Sequence, residues 1–334
     1  MRTEQEFASA PGAQDRLVIV VADGSFGDGK RLVEHFDGVE LRFGDLSDVG
    51  ALADLTAGAS AVVVTLQPLR AAHIAAFAPS VRVIGRAGVG VDTIDLEAAE
   101  AAGITVVNQP GYGTREVASH AVALLLALQR RLCGLDDYVR RGWSGPPVLA
   151  PMKPLDELVV GLVGGGRIGR ATAEMLRGLV GTILVYDPAS PAVPDDVEPV
   201  LDLKNLLGRS DVVSLHLPLT PQTTGMVDGA FLAMMSPGAL LVNVSRGGLV
   251  DEDALVAALD SGHIGGAALD VFPIEPLPQT SPLLKAKNTL FTPHCASYSE
   301  RSVWRLASWT VADTIAWLRS DTIEFGNIVV RGAR

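Results

Sequence analysis

The chain has little cysteine, few aromatic residues and a deficit of positive charge. Of its 334 residues only Cys133 and Cys295 are cysteines, aromatic residues make up 5%, and 27 Lys and Arg face 38 Asp and Glu, a net charge of −11. Two cysteines show no disulfide framework and no metal-cluster pattern, so we expect a reducing cytoplasm and no metal. The negative charge repels nucleic acid and anionic membranes on average, so we expect neither as a partner.

Long apolar runs are also missing. No stretch is long and apolar enough to span a bilayer, and the polar start MRTEQEFASAPGAQD has no signal-peptide core. We expect residues 1 to about 15 to form a loose leader. The 48% hydrophobic content and the length instead suit two α/β domains, each burying its own core.

The stretch 159–187, VVGLVGGGRIGRATAEMLRGLVGTILVYD, predicts strand, tight turn, helix and strand. Gly164, Gly166 and Gly169 fill the G-x-G-x-x-G positions of a dinucleotide-binding turn. They permit the sharp turn, the close approach of a pyrophosphate and the packing of helix on strand, respectively. The helix N-terminus then faces the anion. The alternative is a glycine turn of another α/β protein.

Asp187 ends the second strand of this stretch. It follows the last glycine by 187 − 169 = 18 positions, close to the roughly 20 expected of a carboxylate that binds a ribose. An acid there repels a 2′-phosphate, and residues 188–191 supply no arginine to hold one. The sequence therefore favours NAD over NADP.

A separate βα series precedes the glycine motif. Short apolar runs at 16–22, 61–65, 81–84 and 104–107 predict parallel strands, so the nucleotide fold is a second domain. GRAGVGVD (85–92) follows the run 81–84, where its amides can meet a carboxylate or form an ordinary turn. A long helix is predicted from about 114 to 141, and a proline-rich loop at 143–154.

Further strands are predicted at 212–217, 240–244, 267–271 and 290–292, and a last helix at about 299–318. The carboxyl ends of parallel strands form the ligand-binding edge of such a sheet. Arg246, Glu275 and His294 follow three of these strands. His294 suits general acid/base work, Glu275 can fix its tautomer and favour its protonated form, and Arg246 offers a planar fork to a carboxylate. Taken singly, each of the three is more often a structural or surface residue, but together, at the ligand-binding edge of a dinucleotide fold, they predict an active site.

Several ordered motifs resemble the D-isomer-specific 2-hydroxyacid dehydrogenases, including the phosphoglycerate dehydrogenases and the C-terminal-binding-protein group. The resemblance runs from about residue 18 to 318. It is carried by GRAGVGVD (85–92), VGLVGGGRIGR (160–170), HLPLTPQTTGM (216–226), NVSRGGLVDEDAL (243–255), ALDVFPIEP (268–276) and TPH (292–294).

This resemblance implies that Arg246 binds the substrate carboxylate, that His294 is the acid/base and that Glu275 tunes it. It implies substrate contacts for Arg86, Gly88, Val89, Gly90 and Arg246. It implies cofactor contacts for Gly164, Gly166, Arg167, Ile168, Gly169, Asp187, His216, Leu217, Pro218, Val244, Ser245, Arg246, Asp270 and His294.

The resemblance also implies the architecture. We expect two doubly wound parallel-sheet domains: a flavodoxin-like substrate domain of residues 1–112 plus 296–334, and a Rossmann NAD-binding domain of residues 113–295. A homodimer formed through the nucleotide domain is the expected assembly. No regulatory domain is expected after residue 334.

Two departures from the family pattern bear on specificity. Ser119 stands where an acid is common, and Ser297 stands where the C-terminal-binding-protein group has tryptophan, so that group's specificity does not carry over. The leading hypothesis is an NAD-dependent oxidoreductase interconverting a 2-oxo acid and a D-2-hydroxy acid. The alternatives are an NAD-sensing protein that acts through a partner, and a formate- or phosphite-type dehydrogenase.

Overall fold

The computed structural model describes residues 17–22, 30–36, 38–144, 152–189 and 197–332. The predicted leader, and residues 145–151 of the proline-rich loop, lie outside these ranges. The chain divides into two compact units, one of residues 1–109 and 305–334 and the other of residues 110–304. The predicted boundaries, at 112/113 and 295/296, differ from these by three and nine residues, respectively.

Short buried segments form the strands of both units, as parallel sheets require. Within the described residues the strands are β1 (Leu17–Ala22), β2 (Val39–Gly44), β3 (Ala61–Val64), β4 (Val83–Arg86), β5 (Thr105–Asn108), β6 (Val159–Val163), β7 (Thr182–Tyr186), β8 (Glu198–Pro199), β9 (Val212–Leu215), β10 (Ala239–Asn243), β11 (Ile264–Leu269), β12 (Thr289–Phe291) and β13 (Asn327–Val330). Each predicted strand is present with its bounds shifted by up to three residues, whereas β2, β8 and β13 were not predicted.

The helices are amphipathic, and aspartate caps several of their N-termini. Within the described residues they are α1 (Lys30–His35), α2 (Leu52–Leu55), α3 (Ala71–Ala76), α4 (Leu96–Ala101), α5 (Thr114–Gln129), α6 (Leu132–Arg140), α7 (Arg167–Leu176), α8 (Leu203–Arg209), α9 (Gly229–Met234), α10 (Glu252–Asp260) and α11 (Glu300–Ser320). No helix among them is long and apolar enough to cross a membrane.

The prediction of one helix from 114 to 141 is wrong. The helix is interrupted between α5 and α6 at Arg131, which adopts a left-handed conformation with φ of 52°. A left-handed residue cannot continue a right-handed helix. The apolar face of α5 is buried, whereas no residue of α6 is.

The first unit has the strand order β13-β5-β4-β3-β1-β2. Its first five strands are parallel and have the flavodoxin-like order 2-1-3-4-5, as predicted. The edge strand β13 is antiparallel to β5, so the prediction of a purely parallel sheet needs this correction.

The C-terminal segment completes the first unit through one buried acid. Asp313 of α11 is 0% exposed and accepts hydrogen bonds from the Gln109 side chain at 2.8 Å and from the amides of Glu324, Phe325 and Gly326. These bonds turn the chain out of α11 and into β13. Gly85 of β4 has no room for a Cβ, because Thr310 and Thr314 of α11 pack against it.

The second unit has the order β12-β11-β10-β9-β6-β7-β8 and is entirely parallel. Strands β8-β7-β6-β9-β10-β11 have the order 3-2-1-4-5-6 of dinucleotide-binding sheets, and β12 adds a seventh strand at one edge. Side chains of α5 and α7 bury one face of this sheet, and those of α8, α9 and α10 bury the other. The order reverses between β6 and β9, so the loops after these strands flank the switch point at which such sheets bind ligands.

Replacing Asp313 with alanine is expected to destabilise the protein by about 3 kcal/mol or more, since three amides and one side-chain amide lose a charged acceptor. Urea unfolding measures the change. The exposed acid Asp54 of α2 supplies the control, and Asp54→Ala is expected to stay within about 0.5 kcal/mol of wild type. Equal effects of the two substitutions would contradict the role of Asp313.

Candidate active site

The glycine turn between β6 and α7 has the geometry of a dinucleotide-binding turn. Gly164 has φ of 111°, and an added Cβ would strike the carbonyl group of His216. An added Cβ on Gly169 would strike the carbonyl oxygen of Gly164. Gly166 differs from both, because open space surrounds its missing Cβ and it precedes α7 without a side-chain cap. The turn therefore leaves helix amides and an open cradle for an anion.

The predicted cofactor residues next to this turn are Arg167, Ile168 and Asp187. Arg167 is exposed and Ile168 half-buried in the first turn of α7. Asp187 lies directly after β7, and its carboxylate accepts hydrogen bonds from the amides of Gly165 at 2.8 Å and Ala189 at 2.9 Å. The acid is thus fixed against the glycine turn itself.

The loop after β9 holds His216, Leu217 and Pro218. Nε2 of His216 lies 3.0 Å from the Ser214 hydroxyl, whereas Nδ1 is buried with no hydrogen-bond partner in the described chain. Burial lowers the pKa of His216 to about 4, so its imidazole is neutral at neutral pH. An orphaned buried polar atom beside an open glycine cradle fits a bound nucleotide. Thr223 donates to the Pro218 carbonyl at 2.8 Å and fixes the loop.

Arg246 lies in the turn after β10, and the side chain of Asn243 stabilises this turn. The Asn243 side chain donates to the Arg246 carbonyl at 2.9 Å and accepts from the amide of Ser245 at 3.0 Å. Gly247 has no room for a Cβ, because the backbone of Phe272 passes against it. This close approach brings the turn after β10 next to the loop after β11. Val244 is buried, and the Ser245 hydroxyl donates to the Leu215 carbonyl.

Glu275 and His294 form a hydrogen-bonded pair. Nδ1 of His294 donates to the Glu275 carboxylate at 2.7 Å, and the amide of Phe272 donates to its other oxygen at 2.9 Å. Their side chains are 31% and 27% exposed, for Glu275 and His294 respectively. This bond places the Nδ1 proton, so Nε2 is the nitrogen left to exchange a proton with a substrate.

Electrostatics keep Glu275 ionised. Burial by itself raises the pKa of Glu275, but the hydrogen bonds from His294 and Phe272 and the charges of His294 and Arg246 together lower it below its ordinary value. His294 and Arg246 thus both act on the Glu275 carboxylate. The structure therefore brings the predicted catalytic residues together at one edge of the second unit's sheet.

Asp270, predicted to orient the cofactor, has a buried side chain after β11. Its carboxylate accepts hydrogen bonds from the Thr292 hydroxyl and from the amides of Cys295 and Ala296. The sequence did not point to Asn243 or Thr292 as site residues, although both lie within recognised motifs. The feature that could have identified them in the sequence is a hydrogen-bonding side chain within two positions of a predicted site residue.

The remaining predicted substrate residues belong to the first unit. Arg86 is 3% exposed in β4, and its guanidinium donates to the neighbouring Ala87 carbonyl and lies against Gly88. Asn108 donates to the Val89 carbonyl at 2.6 Å, which fixes a turn whose Val89 side chain is exposed.

Alanine substitutions at two glycines of the turn are expected to separate an effect on stability from an effect on NADH binding. Gly169→Ala is expected to cost about 2 kcal/mol or more, because its Cβ meets backbone that cannot yield. Gly166→Ala is expected to leave the free energy of unfolding within about 0.5 kcal/mol of wild type, yet weaken NADH binding about tenfold or more, because the methyl group fills the open cradle. Urea unfolding and NADH fluorescence titration measure the two effects. Unchanged NADH affinity in Gly166→Ala would contradict this role.

The lowered pKa of Glu275 predicts a pH-dependent contribution to stability. A carboxyl group whose pKa falls on folding stabilises the folded state above its unfolded pKa, and this stabilisation is lost as pH falls through the folded pKa. The difference in unfolding free energy between wild type and Glu275→Gln is therefore expected to be full near pH 6 and to shrink below about pH 4.5. Urea unfolding across this range measures it, and a difference independent of pH would contradict the assignment.

The chain matches the family model described as D-isomer specific 2-hydroxyacid dehydrogenase, NAD binding domain, over residues 122–296. It is 37% identical to a D-3-phosphoglycerate dehydrogenase of Mycobacterium tuberculosis over 287 residues, 84% of this chain and 53% of that protein. The chain thus spans about half the length of this relative. It is 41% identical to a glyoxylate reductase of Korarchaeum cryptofilum over 252 residues, 73% of this chain and 75% of that protein.

Among solved structures, the chain is similar to an NADPH-dependent glyoxylate/hydroxypyruvate reductase from Sinorhizobium meliloti in complex with NADP and malonate. The TM-score is 0.85, with 31% sequence identity over 96% of this chain and 99% of that one. The two α/β units of the fold agree with these matches. The chain belongs to the D-isomer-specific 2-hydroxyacid dehydrogenase family.

Proposed function

We propose that the protein is an NAD-dependent oxidoreductase that interconverts a 2-oxo acid and a D-2-hydroxy acid. The observation that carries this proposal is the 2.7 Å bond between His294 and Glu275, with the charge of Arg246 acting on the same carboxylate. A proton-transfer group beside a guanidinium suits a carbonyl next to a carboxylate. The glycine turn at the same edge of the sheet supplies the cofactor position.

Each residue has one task in this proposal. Arg246 binds the substrate carboxylate through its planar fork. His294 donates a proton from Nε2 to the C2 oxygen during reduction and takes it back during oxidation, while Glu275 holds the Nδ1 proton and so orients the imidazole. A bound nicotinamide cofactor would supply the hydride for C2 during reduction and accept it during oxidation, which would complete the redox balance. Gly166, Arg167 and Ile168 would hold its pyrophosphate.

We assign NAD rather than NADP because of Asp187. Its carboxylate is fixed at the end of β7 beside the glycine turn. There it would accept hydrogen bonds from the ribose hydroxyls and repel a 2′-phosphate. The contacts of Gly88, Val89 and Gly90 with substrate are carried over from the family resemblance alone.

Assembly and location are part of the proposal. Three side chains in and just after α6, Leu132, Val139 and Trp143, are 54%, 51% and 70% exposed, which supports a homodimer formed through this face. Cys133 and Cys295 are both free thiols, which supports a reducing cytoplasm.

NADH and NADPH oxidation on a panel of 2-oxo acids tests the proposal. His294→Ala is expected to lower kcat/KM by about 10² or more because it loses the acid/base. Arg246→Lys is expected to lower it about tenfold or more while keeping the charge. The controls are His263→Gln, directly before β11, and Arg115→Lys, in an exposed ion pair with Glu174.

Turnover with NADH that survives both site substitutions would overturn the roles of the two residues. Tight NADH binding without turnover on any 2-oxo acid would favour an NAD-sensing protein instead. Formate and phosphite belong in the same panel, since turnover on either alone would move the protein to that class of dehydrogenase.

A further inference from the structure

The segment that carries His294 is held by a single buried acid. The side chain of Asp270 is 1% exposed, and its two carboxylate oxygens accept hydrogen bonds from the amides of Cys295 and Ala296, each at 2.9 Å. Its backbone carbonyl accepts a third bond from the amide of His294 at 2.7 Å. Three consecutive amides of the catalytic segment thus end on one residue.

His294 needs such support because its backbone is strained. It has φ of 52°, in the left-handed region that residues other than glycine rarely occupy. A strained conformation persists only where the surroundings determine it. The hydrogen bonds of Asp270 on both sides of His294 supply that constraint.

The orientation of the Asp270 carboxylate is completed by a relay. The Thr292 hydroxyl lies 2.5 Å from Asp270 Oδ1 and 3.0 Å from Nε2 of His120, on α5. A carboxylate only accepts, and a hydroxyl has one proton, so Thr292 donates to Asp270 and accepts from His120. Nε2 of His120 therefore carries a proton. Nε2 carries a proton both in the neutral Nε2–H tautomer and in the imidazolium.

A metal centre is the competing interpretation, because His120, Asp270 and Cys295 place one ligand atom each within 4.8 Å of one another. Metal ions bind the thiolate form of cysteine. Burial, the nearby Asp270 charge and a hydrogen bond to it raise the pKa of the Cys295 thiol, which keeps the thiol protonated. The Asp270 oxygens already accept amide and hydroxyl protons. The cluster is a hydrogen-bond network, not a metal site.

We propose that His120 is a positioning residue, which donates from Nε2 through Thr292 to Asp270 and so fixes the segment that presents His294 to the substrate. Its effect on turnover rests on the proposed function, whereas its effect on the segment does not. His120 acts as a donor rather than as an exchanger of protons, so a glutamine amide is able to replace it.

The first test needs no activity. In the full chain labelled with ¹⁵N, a long-range ¹H–¹⁵N correlation spectrum is expected to show neutral His120 with its proton on Nε2. Amide exchange at residues 294–296 is expected to speed up in His120→Phe and Thr292→Val, but not in His120→Gln and Thr292→Ser. A proton on Nδ1 of neutral His120, or equal protection in all four variants, would overturn the proposal even for a protein without turnover.

The second test uses turnover. His120→Phe is expected to lower kcat about tenfold or more, since small misplacements of a catalytic group are costly, while the Kd for NADH stays within about twofold. His120→Gln is expected to restore kcat to within about threefold of wild type with the pH profile unchanged. Loss of activity in both variants, with a changed pH profile in His120→Gln, would show that His120 transfers protons and would refute the donor role. A wild type that turns over no 2-oxo acid refutes the proposed function and leaves the spectroscopic test standing.

Discussion

A buried negative charge organises the reactive end of the second unit. The Asp270 carboxylate is surrounded by protein, and a charge in such a place is tolerated only with donors around it. Those donors come from the segment 292–296, which follows β12, so satisfying the charge also fixes the path of that segment. His294 then reaches Glu275, which follows β11. The geometry of the His294–Glu275 pair therefore depends on Asp270, the residue that directly follows β11.

Close backbone approach brings in Arg246, the third of the residues predicted to be catalytic. Gly247 follows Arg246 and lies against the backbone of Phe272, at a place where any side chain would clash. The amide of Phe272 in turn donates to Glu275. A glycine in one loop and an amide in the next thus bring Arg246 close enough for its charge to lower the pKa of Glu275. The glycine is needed for the electrostatics as much as for the turn.

Much of this was predictable because it depends on short-range patterns. The G-x-G-x-x-G spacing after an apolar run predicts the turn at Gly164, Gly166 and Gly169. The rule that the carboxyl ends of parallel strands lie at one edge of the sheet predicts that Arg246 and His294 lie there. The break at Arg131 was not predictable, because the apolar pattern of α5 continues into α6 and no glycine or proline marks the break. Strand β13 was missed because its pairing with β5 depends on the contact of Asp313 with Gln109, residues far apart in sequence. The role of Thr292 was missed because a hydroxyl's partners are decided only by the folded chain.

A crystal structure of the protein with NADH and oxamate, an unreactive analogue of a 2-oxo acid, tests the proposed active site most directly. We expect the oxamate carboxylate on the guanidinium of Arg246, the neighbouring carbonyl oxygen within hydrogen-bond distance of His294 Nε2, and the hydrogen bond between His294 and Glu275 retained, as the proposed site requires. Oxamate bound away from Arg246 and His294, with the cofactor in place on the glycine turn, would contradict it.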